Sequence, residues 1–168
     1  FSPDSIVVFA GQVDDPVTQT THARALQQAL RTQRFSGTLT FVDIHTSGTL
    51  ADLAQTRADL AIIALAPGEV AAALEVAGRM ACRAALVISS GIDADKAAEL
   101  KRIANREGVH LLGPNCLGLQ RPHLQLNASA AGPLARPGSL ALVSQSGALT
   151  SSIQIGRASC RERVYHPV

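Results

Sequence analysis

The sequence is poor in aromatic residues and in cysteine. Aromatic side chains make up 3% of its 168 residues, Trp is absent, and the three cysteines are Cys82, Cys116 and Cys160. Widely spaced thiols without a C-x-x-C pair argue against a zinc site or a disulfide framework. We therefore expect no metal ligands in this chain and a reducing compartment, the cytoplasm.

Long apolar runs are also absent. No stretch is long enough to span a bilayer, and no basic-then-apolar leader opens the chain. We expect neither a membrane segment nor secretion. Because the chain starts at Phe1 and not at Met, we interpret it as a fragment of a longer protein.

The C-terminal stretch IGRASCRERV resembles the translation of a common sequencing-adapter oligonucleotide. We interpret residues 155–168 as a non-native tail, and a genuine basic helix is the alternative. The stretch carries Arg157, Arg161 and Arg163 against Glu162, so its removal takes away the whole formal net charge of +2. The basic balance is therefore no sign of a nucleic-acid partner.

Apolar, β-branched runs alternate with amphipathic segments along most of the chain. The predicted strands are 5–10, 38–44, 60–65, 84–89 and 109–112, and the predicted helices are 18–33, 49–55, 69–82 and 93–106. Apolar strands that alternate with helices are typical of parallel βαβ units. The pattern predicts an α/β fold with a Rossmann-like parallel sheet, which binds ligands at the carboxyl ends of its strands.

Helical spacing also predicts the buried faces of two helices. In the first helix these are Ala25, Leu26, Ala29 and Leu30. In helix 69–82 they are Val70, Ala73, Leu74 and Ala77. Asp93 is predicted to cap the N-terminus of the last helix.

The pattern becomes less regular after Gly118. PLARPG (133–138) indicates a connection, SLALV (139–143) a new strand, and SQSGALTSS the start of a helix. We place a domain boundary near Gly138. Residues 1–137 would form one domain, and 138–154 the truncated start of a second.

Two strand-end loops carry weak signals for a nucleotide. The first offers Gly11, but the G-x-G-x-x-G pattern is absent and Asp14 and Asp15 would repel a phosphate. In the second, Asp43 could accept a ribose hydroxyl and His45 could face a phosphate. An ordinary tight turn and simple solvent exposure remain open for these residues.

The later loops carry stronger signals. Ser89, Ser90 and Gly91 offer hydroxyls and backbone, although a plain βα turn is an alternative. In GPNCLG, Cys116 has no His close in sequence to activate it, so we interpret it as lining a site and not as a nucleophile. The stretch SQSGAL (144–149) presents N–H groups and hydroxyls to an anion, and it is not the G-x-S-x-G elbow of hydrolases.

Together, GPNCLGL, LNAS and PGSLALVSQSGAL resemble the NDP-forming acyl-CoA synthetases, a family that includes ADP-forming acetate–CoA ligase and the succinyl-CoA synthetase α subunit. The resemblance covers residues 1 to about 154. It implies a CoA-binding Rossmann-like domain followed by a flavodoxin-like ligase domain. The implied reaction joins an acid to CoA as a nucleoside triphosphate becomes a diphosphate and phosphate, through an acyl phosphate and a phosphohistidine.

The resemblance also implies site residues. The resemblance implies CoA contacts at Ile88, Ser89, Ser90, Pro114, Asn115 and Cys116, and the strand-end loops add the candidate CoA contacts Gly11, Gln12, His45, Pro67 and Gly91. The implied phosphohistidine loop is Ser144, Gln145, Ser146 and Gly147. The catalytic His would lie downstream of this chain, and an ATP-grasp domain or subunit outside it would hold ATP and Mg²⁺. We expect small-molecule substrates, no nucleic-acid or membrane partner, an inactive fragment and an oligomeric complete protein.

The first two loops depart from the family pattern. In the first loop, Ala10 stands where the family usually has Gly, and in the second loop Asp43, Ile44 and His45 stand where the family often has Asn-Pro-Lys. We therefore expect weak CoA binding. A relative with similarly altered loops is a protein lysine acetyltransferase, in which a synthetase-like region is fused to a GNAT domain. LNAS (126–129) resembles that subgroup, which implies a non-catalytic CoA sensor as the alternative. A less favoured alternative is an NAD-binding domain, supported by Asp43.

Overall fold

The structure is a computed structural model, and it describes residues 2–10, 21–32, 34–42 and 56–153. The predicted helix 49–55 and the tail 155–168 lie outside the described residues. The elements are β1 (Ser5–Ala10), α1 (Thr21–Thr32), β2 (Thr38–Val42), β3 (Leu60–Ala64), α2 (Val70–Arg79), β4 (Ala84–Val87), α3 (Ala94–Glu107), β5 (His110–Leu112), β6 (Gly118–Arg121) and β7 (Leu126–Ser129). A single 3₁₀ turn, Pro122–Leu124, separates β6 from β7, and 147–153 are helical.

Strands β1 to β5 form one parallel sheet in the order β2-β1-β3-β4-β5. Strand β3 is buried at every position and β1 at all but its first, because helices cover both faces of the sheet. The predicted Rossmann-like α/β architecture is confirmed. Parallel strands bring all five carboxyl ends to the same edge of the sheet, which we call the carboxyl edge.

The two faces of the sheet carry separate apolar clusters. Along β1, Val7 and Phe9 point into the cluster beneath α2 and α3. The alternate residues Ile6 and Val8 point into the cluster that contains α1 and β7. This alternation follows from the period of two along a strand. Both faces of the sheet are therefore covered by packed side chains, and the loops that follow the strands lie at its carboxyl edge.

The helices α2 and α3 follow the sequence pattern. The predicted stripe of α2 is buried, with Val70, Ala73, Leu74 and Ala77 each 0% exposed. Asp93 caps α3, and its Oδ1 accepts a hydrogen bond from the Lys96 N–H at 2.8 Å. Both predictions are confirmed.

The buried face of α1 differs from the predicted one. Leu26 and Leu30 are buried as expected, but Ala25 is exposed, and Ala23 and Gln27 are buried in addition. These buried positions follow the i, i+3, i+4, i+7 spacing of a helix face. The prediction was wrong at Ala25 because it followed apolar residues only, whereas the polar Gln27 occupies a core-facing position.

Strands β6 and β7 form an antiparallel pair that the sequence pattern did not predict. Leu126 and Ala128 of β7 are 0% exposed and join the cluster of α1. The alternate residue Asn127 is 1% exposed, accepts a hydrogen bond from Gln120 at 3.1 Å, and donates one to the Gly132 carbonyl at 2.8 Å. The β6–β7 pair, which follows the parallel sheet in the chain, thus packs against α1.

The predicted strand 139–143 was wrong, since these residues have no strand structure. Leu140 is 80% exposed and Val143 is 96% exposed. A strand requires a neighbouring strand to satisfy its backbone groups, and an apolar run alone cannot supply that partner. The predicted helix start is confirmed: helical residues begin at 147, and the Ser146 Oγ accepts a hydrogen bond from the Leu149 N–H at 3.3 Å. Within the described ranges, no helix is long and apolar enough to cross a bilayer.

Candidate functional site

The loop after β3 begins at a buried residue. Leu65 is 2% exposed, and its N–H donates to the Ser89 Oγ at 3.0 Å. Farther along, the Ala66 N–H donates to the Glu69 carboxylate at 3.3 Å, and the Glu69 N–H donates back to the Ala66 carbonyl at 2.9 Å. These bonds close a tight turn that presents the half-buried Pro67 at the carboxyl edge.

The loop after β4 changes from buried to exposed within two residues. Ile88 and Ser89 are each 3% exposed, whereas Ser90 and Gly91 are exposed. Gly91 has φ +76°, and a β-carbon placed on it would lie 3.8 Å from Cγ of Pro67. The loops after β3 and β4 therefore touch, and Ser90 is the first residue after β4 whose side chain reaches the surface.

The turn after β5 packs against the end of β4. The Asn115 N–H donates to the Ser89 carbonyl at 2.9 Å, and the Cys116 N–H donates to the Val87 carbonyl at 3.2 Å. Gly113 has φ +104°, and a β-carbon there would collide with the Val87 carbonyl. Asn115, with φ +57°, adopts the left-handed conformation that Asn tolerates, and its side chain is exposed. The breakers of GPNC thus let the chain turn tightly over β4.

Cys116 is half-buried and packs against the cluster of α1 and β7. Its Sγ accepts a hydrogen bond from the Gly118 N–H at 3.4 Å. Among the described residues no hydrogen bond or ion pair joins this sulfur to a His or a cation. The role of Cys116 as a lining residue stays a prediction.

The predicted phosphate loop lies close to the same turn. A β-carbon placed on Gly147 would lie 3.6 Å from Cβ of Leu117, the residue after Cys116. Leu117 is itself fixed, because its carbonyl accepts hydrogen bonds from the Ala130 N–H at 3.0 Å and the Ser129 Oγ at 3.1 Å. The sequence pattern did not predict that Leu117 lies between the GPNC turn and Gly147. The residues Ser144, Gln145 and Ser146 are exposed.

The structure therefore brings together most of the described residues that the sequence singled out. Those at the carboxyl edge are Pro67, Ser90, Gly91, Pro114, Asn115 and Cys116, with Gly147 adjoining through Leu117. The side chains of Ile88 and Ser89 are buried, which leaves only their backbone for any ligand contact. Gly11, Gln12 and His45 lie outside the described residues. Ser90 and Asn115 follow strands that end at the same edge, as expected for one cleft.

The described loops at the carboxyl edge carry negative charge. The described loops after β3, β4 and β5 contribute the carboxylates Glu69 and Asp93 and no cation. The Lys96 N–H, donating to the Asp93 carboxylate at the start of α3, holds the pKa of Asp93 below its usual range, so this group stays ionised. The Ser90 hydroxyl and the Asn115 amide at this edge can each donate and accept hydrogen bonds. In the described ranges, no cluster of three or more His, Cys, Asp or Glu side chains could hold a metal ion.

An open groove of about 290 Å³ adjoins the turn that follows β5. It runs between α3 and β5, and its lining includes Lys101, Asn105 and His110 as well as Pro114. Helix α3 covers one face of the sheet, whereas Cys116 packs against the cluster on the opposite face. The groove and the thiol therefore belong to opposite faces of the sheet, and the turn that contains Gly113 and Pro114 lies between them.

Curated enzymes resemble this chain over about a hundred residues. It is 35% identical over 99 residues to the ADP-forming acetate–CoA ligase of Methanocaldococcus jannaschii, a match covering 56% of this chain and 14% of that enzyme. It is 34% identical over 101 residues to the α subunit of ADP-forming acetate–CoA ligase II of Pyrococcus furiosus, covering 56% of this chain and 22% of that subunit. The chain thus matches less than a quarter of each of these relatives.

Solved structures share the fold. The crystal structure of PH0766 from Pyrococcus horikoshii OT3 superposes with a TM-score of 0.75 and 25% identity, over 90% of this chain and 37% of that one. The apo form of dinucleotide-forming acetyl-coenzyme A synthetase 1 of Ca. Korarchaeum cryptofilum gives 0.73 and 24%, over 90% and 35%. The profile of the CoA binding domain matches residues 38–122, from β2 to the 3₁₀ turn, and so includes all three loops. On this match over half of its length, the chain belongs to the CoA binding domain family.

Proposed function

We propose that this chain is the coenzyme A-binding portion of an ADP-forming acyl-CoA ligase. In the complete enzyme an acid, CoA and a nucleoside triphosphate would give acyl-CoA, a nucleoside diphosphate and phosphate, by way of an acyl phosphate and a phosphohistidine. The catalytic His, ATP and Mg²⁺ would belong to parts of that enzyme outside this chain. The chain alone would bind CoA and catalyse nothing.

The observation that carries the proposal is the hydrogen bond from the Asn115 N–H to the Ser89 carbonyl at 2.9 Å. It joins the GPNC turn to the ISSG loop, two stretches that the family resemblance assigns to CoA. Both stretches fall within residues 38–122, the part that matches the CoA binding domain. The similarity to ADP-forming acetate–CoA ligases supports the same assignment.

Each exposed or half-buried side chain at the edge has a role in this proposal. The Ser90 hydroxyl and the Asn115 amide would bind the amides of the pantetheine arm, and Pro67 would provide an apolar wall beside it. Cys116 would line the end of the arm without reacting. The SQSG loop, Ser144 to Gly147, would face the phosphorylated group supplied by the rest of the enzyme, because backbone N–H groups at a helix start suit an anion.

Calorimetric titration of the chain with CoA, and separately with NAD, tests the proposal. We expect saturable CoA binding with a dissociation constant in the range of roughly 0.1–1 mM, because the described loops at the carboxyl edge contribute no cation that could pair with the phosphates of CoA. NAD should give no heat of binding. Binding of NAD without CoA would contradict the proposal and favour the NAD-binding alternative.

A substitution at Asn115 locates the site. Asn115→Gly removes the amide and keeps a residue suited to φ +57°, so the turn should persist while CoA binding weakens roughly fivefold, the equivalent of one neutral hydrogen bond. Gln125→Gly is the matched control, because Gln125 is also exposed and has φ +54°, but it lies at the β6–β7 pair. Equal CoA affinity in Asn115→Gly and the parent chain would remove Asn115 from the site.

The CoA-sensor alternative has less support. Its sequence signal was LNAS, and in the structure these four residues form β7. Leu126 and Ala128 face the core, and Asn127 and Ser129 hold neighbouring backbone, so packing alone accounts for the motif. Sequencing the gene beyond this region would decide between the two, since a fused acetyltransferase domain would favour the sensor.

A further inference from the structure

Ser89 follows β4 and lies between the ends of the neighbouring strands β3 and β5. Its side chain is 3% exposed, and its Oγ accepts a hydrogen bond from the Leu65 N–H at 3.0 Å, at the end of β3. Its carbonyl accepts another from the Asn115 N–H at 2.9 Å, after the end of β5. One residue of the β4 loop is therefore bonded to the loops on both sides of it.

The hydroxyl acts where regular strand pairing stops. The last backbone bond between β3 and β4 in this region runs from the Ile88 N–H to the Ile63 carbonyl at 2.9 Å. Leu65 lies beyond that bond and is 2% exposed, so water does not replace a missing acceptor for its N–H. The Ser89 Oγ supplies this acceptor, which keeps the two loops in register past the end of the sheet.

We propose that Ser89 is a positioning residue, which fixes the loops after β3, β4 and β5 as one surface and does not itself contact CoA through its side chain. The inference rests on the proposed function for its effect on CoA. The exposed groups Ser90 and Asn115 are each attached directly to Ser89, the first by a peptide bond and the second by a hydrogen bond. Movement of Ser89 therefore displaces both of them.

Ser89→Ala tests the proposal, because it removes the acceptor and keeps the backbone. Without the hydroxyl, the Leu65 N–H is buried and unpaired, and the two loops separate to reach water or another acceptor. We expect CoA affinity to fall roughly fivefold or more. In ¹⁵N–¹H spectra without ligand, the Leu65 amide should exchange faster with solvent, and the Asn115 amide signal should move as well.

Ser5→Ala is the matched control. The Ser5 hydroxyl also bridges two strand ends, because it donates to the Asp59 carboxylate at 3.1 Å and accepts from the Asp59 N–H at 3.1 Å. This pair lies at the opposite edge of the sheet, where β1 and β3 begin. Ser5→Ala should lower the melting temperature as Ser89→Ala does, and it should leave CoA affinity unchanged.

Weaker CoA binding in Ser89→Ala alone, together with changes at Leu65 and Asn115, supports the positioning role. Unchanged CoA affinity in Ser89→Ala, or an equal loss in Ser5→Ala, overturns it. If the parent chain itself fails to bind CoA, the proposed function fails, and the amide signals then decide the positioning role. In that case an unmoved Asn115 signal shows that Ser89 does not connect the loops, and a moved one shows that it does.

Discussion

Cys82 and Cys116 carry the same thiol in different surroundings. Cys82 is 3% exposed, and its burial, with a smaller contribution from the Asp59 charge, raises its pKa to about 12. Cys116 is half-buried at the carboxyl edge. Because only the thiolate reacts, the Cys82 thiol is protonated and unreactive at pH 8. Iodoacetamide at that pH should therefore label Cys116 and spare Cys82 in the folded chain.

Peptide mass spectrometry after timed alkylation measures this difference, and Cys160 falls in a separate peptide. Repeating the reaction in 8 M urea provides the control, since unfolding should make both Cys82 and Cys116 reactive. Labelling of Cys82 in the folded chain at the rate of Cys116 would contradict the buried environment.

Asp59 ties the start of β1 to the start of β3. Its Oδ2 accepts hydrogen bonds from the Asp4 N–H at 2.9 Å, the Ser5 N–H at 3.0 Å and the Ser5 hydroxyl at 3.1 Å. The backbone N–H groups of Asp4 and Ser5 are the largest causes that hold the pKa of this carboxyl below 3.8. The folded state therefore binds its proton less tightly than the unfolded chain does. The stabilisation is present above pH 4 and is lost as the pH falls through the folded-state pKa.

Asp59→Asn checks this pH dependence. We expect the substitution to cost about 1 kcal/mol in free energy of unfolding at pH 6, discounted for partial solvent exposure, and much less at pH 3. Urea denaturation of both proteins at several pH values measures the difference. A difference that stays constant from pH 6 to pH 3 would show that the charge of Asp59 does not contribute.

The turn after β5 has a structural requirement for glycine. Gly113 has φ +104°, and an added β-carbon would collide with the Val87 carbonyl, which accepts the Cys116 N–H. Gly113→Ala should therefore destabilise the fold by about 2 kcal/mol or more, measured by urea denaturation. Gly68→Ala is the matched control, because nothing lies within 4 Å of its added β-carbon, and its cost should stay below about 0.5 kcal/mol. Equal costs would show that the turn tolerates a side chain.

At the level of elements, the sequence was most informative where burial is complete. Strands β1 and β3 are apolar and almost wholly buried, so composition alone marks them. The β6–β7 pair was missed because each strand has four residues and polar side chains such as Gln120 and Asn127, which bond inside the hairpin instead of facing water. For 139–143 the pattern was misleading, since an apolar run indicates a strand only where another strand can pair with it.

The candidate site shows the same division. Motif residues predicted which loops meet, because parallel topology brings their strand ends to one edge. The pattern could not show that the Ser89 hydroxyl is buried, nor that the Leu117 carbonyl holds β7. Both facts depend on contacts between segments distant in sequence. Contacts of this kind distinguish residues such as Ser89, which hold the loops in place, from residues such as Ser90, whose side chains are exposed at the carboxyl edge.

For the whole molecule, the structure separates a packed body from the segment after it. Leu126 packs in the cluster that contains α1 and is 0% exposed, whereas Leu140 is 80% exposed. The hairpin therefore packs as part of the body, and residues from about 139 onward contribute little to its core. This division agrees with a domain boundary near Gly138, which remains a prediction.

Paired Leu→Ala substitutions test where the cooperative unit ends. Leu126→Ala should lower the free energy of unfolding by about 2–4 kcal/mol, because it removes a fully buried side chain from the cluster beside α1. Leu140→Ala makes the same chemical change at an exposed position and should alter stability by less than about 0.5 kcal/mol. Urea denaturation followed by circular dichroism measures both. A large cost for Leu140→Ala would place 139–143 inside the folded body, and a negligible cost for Leu126→Ala would place the hairpin outside it.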